Sequence, residues 1–228
     1  MIERKKKENG KRKKRYRAWI GFALFWVRLF APKRKVEGEL VDGACVYLCR
    51  HRDADGVIGA FTSLKTVLRP WVLHPFTCYS TALKHLKEYT FSQKSCKNKA
   101  FNALCSPICA FGLSSLVRSA RGIAVYRGAE ARKSITTIKN SVRALKEGDN
   151  LLVFPDVDYA SEENRTDGEV YKGFVAVDKL YFRHSGERVK FVPVYINEKK
   201  VVVHSPVTFG DEPEEETVAK IVKGIYNE

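Results

Sequence analysis

Residues 44–49 form an apolar run of strand length, and comparable runs recur at 71–78, 122–127, 150–154, 189–196 and 201–207. Between them apolar residues return at helical spacing, over 57–68, 108–117, 130–146, 174–182 and 214–226. The clearest helix is 130–146, with Ile135, Ile138, Val142 and Leu145 on one predicted buried stripe and Gly148 as its stop. Arg69-Pro70 is read as ending the 57–68 helix, and Pro193 falls inside a strand. Residues 79–107 mix lysine with aromatics and fit neither period, so they read as a surface excursion or as a segment that closes over a ligand. No internal repeat is visible. Strands alternating with helices predict one α/β domain, 36–228, with a mostly parallel central sheet flanked by helices, preceded by an arm, 1–35.

Charge changes the picture at the amino terminus. The 228-residue chain carries a net charge of +15, and ten of the fourteen residues from Arg4 to Arg17 are Lys or Arg. Such a run reads as a solvated tail, and the excess points to an anionic partner: nucleic acid, an acidic membrane or a phosphorylated substrate. Residues 18–31 are apolar apart from Arg28, and Pro32 is followed by three cations. As a helix this segment spans about 21 Å, short of the roughly 30 Å hydrocarbon core, so it is not expected to cross a bilayer.

An interfacial membrane-docking helix fits better. Lys14, Arg17, Gly21 and Arg28 share a stripe toward the headgroups, with Trp19, Phe22, Phe25, Trp26 and Phe30 below them. Each flanking cation adds about 1 kcal/mol near anionic lipid. A core helix and a cleaved leader are the alternatives, and Pro32 with its basic followers makes a poor cleavage site. The aromatics stand in one block instead of interleaving with cations, which argues against nucleic acid. The expected partner is therefore an anionic membrane surface, with the chain peripheral on its cytoplasmic side. The six cysteines show neither CxxC pairs nor a disulfide framework, consistent with an intracellular location and no metal site.

Candidate chemistry gathers just after the first strand. Residues 45–56 read Cys-Val-Tyr-Leu-Cys-Arg-His-Arg-Asp-Ala-Asp-Gly, which delivers His51 to a strand end ahead of Asp53 and Asp55. α/β enzymes place their chemistry at such strand ends. If the chain turns helical near Asp53, Asp55 can reach back to the imidazole, and a histidine held by a carboxylate is a general base. The competing reading is that Asp53 or Asp55 caps the helix and His51 is merely exposed. A calcium loop is excluded because His51 and Thr62 stand where it needs acids. Zinc is excluded for want of further strong ligands.

Four blocks together resemble the PlsC-type glycerolipid (lysophospholipid) acyltransferase family: His51 with Asp55, Gly122-Ile-Ala-Val-Tyr-Arg127, Val153-Phe-Pro-Asp156 and Val192-Pro-Val194. The resemblance runs from about Val41 to the carboxyl terminus. It implies a glycerol-3-phosphate acyltransferase-like fold with no bound cofactor or metal. The implied reaction is acyl transfer from acyl-CoA or acyl carrier protein to the hydroxyl of a lysophospholipid such as 1-acyl-glycerol-3-phosphate. His51 would be the base, oriented by Asp55 or Asp53. Arg127 would hold the acceptor phosphate, Asp156 would shape its pocket, and Lys172 beside Gly173 would add positive charge. The sequence departs from the family at several points. His51 to Asp55 is H-x3-D where the family has H-x4-D, Gly56 occupies the expected acid position, and Tyr126 and Asp156-Val157 replace family residues. Those departures leave a non-catalytic lipid-binding relative open as an alternative, with a nucleic-acid-binding protein behind it.

Overall fold

The computed structural model describes residues 18–41, 43–51, 53–90, 99–126, 132–155 and 170–227. Among these the chain forms helix α1 (Ala18–Phe30), strands β1 (Lys35–Glu37) and β2 (Cys45–Cys49), helix α2 (Asp53–Ser63) and strand β3 (Leu68–Leu73). Helices α3 (Tyr79–His85) and α4 (Lys99–Ser119) follow, then β4 (Ile123–Val125), α5 (Ser134–Lys146) and β5 (Asn150–Val153). The carboxyl-terminal part adds α6 (Val175–Ser185), β6 (Lys190–Ile196), β7 (Lys200–Val203) and α7 (Glu214–Tyr226). The seven strands make one mixed sheet in the order β1-β7-β6-β2-β5-β3-β4, parallel throughout except for the β6–β7 pair. This is the mostly parallel, helix-flanked α/β sheet expected from the alternation of patterns.

β2 lies at the centre, between β6 and β5, and all five of its residues are buried. Its side chains alternate between the faces. Val46 and Leu48 pack with α5, α6 and α7, while Cys45, Tyr47 and Cys49 pack with α1 and α2. A strand covered on both sides needs a continuous apolar run, and that is why 44–49 stood out in the sequence.

Several expectations are corrected. α2 begins at Asp53 and ends at Ser63, so the stretch toward Pro70 is not helical. Pro70 instead sits inside β3, where the strand changes neighbours: residues 68–70 pair with β5 and 71–73 with β4. A proline lacks a ladder donor, and a change of partner is a place that tolerates the loss. The strand expected over 71–78 ends at Leu73, and His74–Thr77 is a 3-10 turn. Residues 79–107 are largely helical where described, and α4 runs 21 residues straight through Pro107. In α5, Ile135 is 51% exposed, and the buried positions are Thr137, Ser141, Val142, Ala144 and Leu145. The strand expected over 201–207 stops at Val203, with Val207 making only a bridge to Phe191.

The α4–β4 turn is fastened by charge. The buried Asp149 carboxylate lies 3.1 Å from both Arg69 and Arg121, which joins the starts of β3 and β5 to the turn ahead of β4. Arg121 has φ of 55°, a left-handed conformation that its ion pair compensates.

Candidate active site

His51 stands two residues beyond the end of β2, at the carboxyl edge of the sheet's central strand. The chain there must turn sharply into α2, and Gly56 makes that possible. A Cβ on residue 56 would lie 2.3 Å from the carbonyl oxygens of both Arg50 and His51. No side chain fits at that distance. The fold of the loop therefore keeps a carboxylate from position 56, one residue beyond Asp55.

Asp55 is held from another direction. Nη2 of Arg34 donates to its Oδ1, and the Arg34 side chain is fully buried while that of Asp55 is 36% exposed. Arg34 Nε also donates to the Asn197 carbonyl at 2.7 Å. The second carboxylate oxygen, Oδ2, is buried and accepts no hydrogen bond, and the buried Nδ1 of His51 donates to neither oxygen. The imidazole instead meets the Phe154 ring edge to face, with centroids 5.1 Å apart. Arg34 was read from sequence only as a member of a basic flank. Nothing in the local pattern separates it from Lys33 and Lys35, because its burial is created by residues 21 and 163 positions away.

A cavity of about 490 Å³ opens beside His51. Its wall is built from the inner faces of α1 and α4, from α2, and from residues 70–73 of β3. Among the described residues lining it, His51 is the one titratable side chain; the indole of Trp71 directs its N–H to Ser141 at 2.9 Å. The volume lies within the roughly 300–1,000 Å³ typical of small-ligand sites. An apolar chamber with an imidazole on its wall suits a molecule with a long hydrocarbon part and a reactive polar end.

The other expected site residues are spread differently. Asp53 opens α2, but its side chain lies outside the described residues, as do Arg127 and Asp156 in full. Lys172 and Gly173 form the 3-10 turn ahead of α6. Lys172 is exposed, and neither residue lines the cavity. At the carboxyl ends of β3 and β4, His74 stacks on Tyr126 at 4.7 Å and Lys133 lies over the same ring. This small basic and aromatic cluster went unnoticed in the sequence because its members are up to 59 residues apart.

No protein-family model matches the chain, and no curated protein matches it. A solved structure similar to it is the 1-acyl-sn-glycerophosphate (LPA) acyltransferase PlsC from Thermotoga maritima, with 16% identity and a TM-score of 0.49. The match covers 91% of this chain and 73% of that one. So distant a likeness carries no argument about chemistry, and the weight falls on the cavity and its histidine.

α1 packs on the domain with one face and leaves its aromatic face exposed. Ile20 and Leu24 are buried against the domain, and the Ile20 amide donates to Ser119 Oγ at 3.0 Å. Trp19, Phe22, Phe25, Trp26 and Phe30 all point outward. None of the described helices is long and apolar enough to cross a membrane. Among the described residues no group of three or more His, Cys, Asp or Glu could hold a metal ion.

Proposed function

We propose that the chain is an acyltransferase that moves a fatty acyl group from a thioester, acyl-CoA or acyl carrier protein, to the hydroxyl of a lysophospholipid such as 1-acyl-glycerol-3-phosphate. The observation that carries this reading is the apolar cavity with His51 on its wall, which suits an acyl chain lying beside a proton acceptor. The four sequence blocks resembling PlsC-type enzymes support it independently.

In this mechanism His51 removes the acceptor's hydroxyl proton as that oxygen attacks the thioester carbonyl. The carbon–sulfur bond then breaks, and the imidazolium returns the proton to the departing thiolate, so no acyl-enzyme forms. Asp55 stabilises the transient imidazolium through the buried Oδ2, with Arg34 anchoring its other oxygen. Arg127 and Lys172 supply positive charge for the acceptor phosphate, and Asp156 shapes that pocket. The enzyme works peripherally at the cytoplasmic face of an anionic membrane, where both thioester donors and lysolipid acceptors are within reach.

A lipid-binding relative without activity is the second reading. The Arg34–Asp55 pair favours it, since it withholds one carboxylate oxygen from the histidine. Thioester consumption with acyl-CoA and 1-acyl-glycerol-3-phosphate separates the two. Under the first, His51→Ala loses about 10²- to 10⁴-fold in rate. Equal consumption by both proteins, or none by either, identifies the binder.

A further inference from the structure

Two helices far apart in sequence turn one apolar surface outward, and we propose that α1 and α4 together form a platform that docks on an anionic lipid bilayer, with α4 as its second, independent contact. The proposal rests on the lipid reading above and extends it to the outer face of a helix whose inner face walls the cavity. Along α4, Leu104, Ile108 and Phe111 are 69, 67 and 62% exposed. They fall at i, i+4 and i+7, so they form a single stripe. On α1 the rings of Trp19, Phe22, Trp26 and Phe30 follow one another at centroid spacings of 6.1–6.5 Å.

The two stripes join. Trp19 and Phe111 line the same groove, of about 310 Å³, with Ser115 and Arg118 continuing the α4 stripe along it. Large apolar side chains exposed together on neighbouring helices mark a contact with a partner or a membrane.

Charge selects the bilayer as the occupant. Neither 18–35 nor 99–122 contains an acidic residue, while Arg28 and Arg118 lie on the two helices and the run from Arg4 to Arg17 leads directly into α1. A second copy of this chain would bring like charges together, whereas anionic headgroups oppose them. Geometry adds a consequence. The inner faces of the same helices, Ile20 and Leu24 of α1 with Leu113 and Leu116 of α4, wall the cavity. Docking therefore sets the cavity wall against the bilayer that holds the lysolipid acceptor.

The test is flotation of the full chain with phosphatidylcholine vesicles, with and without phosphatidylglycerol, for the native protein and the double variant Leu104→Glu/Ile108→Glu. Both side chains are exposed and lie outside the cavity, so the fold and the turnover of a detergent-dispersed acceptor are retained. We expect the native chain to float with the anionic vesicles only and the variant to bind them about tenfold or more weakly. Flotation of the variant equal to that of the native chain would overturn the proposal. So would a native dimer that fails to float and that the same substitutions dissociate. Vesicle binding that depends on α4 in a protein that consumes no thioester would sink the acyltransferase reading and leave the platform standing.

Discussion

The Arg34 side chain lies fully buried between Asp55 and the Asn197 carbonyl, so a residue just past the amino-terminal helix holds a carboxylate in the turn that carries the candidate base. An ion pair in that position both stabilises the loop and sets how much of Asp55 remains for His51.

Replacing Arg34 by Gln removes a charge-assisted bond, with solvent at Asp55 screening part of the loss. We expect the stability to fall by about 1.5–3 kcal/mol in urea unfolding. The released carboxylate then favours the imidazolium, so the acidic limb of the pH–rate profile moves to higher pH. A stability loss with an unmoved profile would mean that Asp55 does not sense the histidine.

Gly56→Ala tests the tight loop. The added Cβ meets two backbone carbonyls that belong to the His51 turn, and neither can move without shifting the histidine. Overpacking of this kind costs about 1–3 kcal/mol. The rate should drop in the folded fraction as well, which separates a displaced base from simple unfolding. Gly56→Asp, which places an acid five residues after His51, should be no more active than Gly56→Ala.

Filling the cavity should shorten the acyl chain that is accepted. Leu116→Trp projects a larger side chain into the space between α4 and α1. Each methylene thereby excluded forfeits about 0.8 kcal/mol of burial, or roughly fourfold in kcat/KM for the longer donor. Competition between a short and a long acyl-CoA measures it. An unchanged ratio would show that the chain binds elsewhere.

Thiol reactivity separates buried from exposed cysteines. Burial pushes the Cys45 thiol up to about 11, whereas hydrogen bonds from Ser80 lower that of the exposed Cys78. Because the thiolate is the reactive form, alkylation of the native protein near neutral pH should label Cys78 and leave Cys45 untouched until unfolding, read by peptide mass analysis. The raised Cys45 value also carries a sign. Its stabilising contribution is complete below the ordinary thiol range near 9 and declines as pH rises toward 11, because the unfolded chain loses that proton first.

Much of the fold was legible because it rests on local periodicity. The β2 run, the β5 run and α7, whose ends match the sequence reading residue for residue, are read from neighbours alone. Pro70 misled for a physical reason. A proline in a strand marks a break only when its missing donor is needed, and that depends on which strand lies beside it. Ile135 was assigned to a buried stripe that its helix turns away, since rotation about the axis is set by what the helix packs on.

The sequence by itself determined the alternation of strands and helices, the apolar identity of the central strand, and the position of His51 at that strand's end. Tertiary structure alone decided what surrounds the histidine. The cavity is assembled from α1, α2, α4 and β3, Arg34 reaches Asp55 across 21 residues, and the α1 and α4 stripes become one surface. The reason is physical: periodicity reports which face of an element is apolar, but burial and ion pairing arise only when separate elements meet.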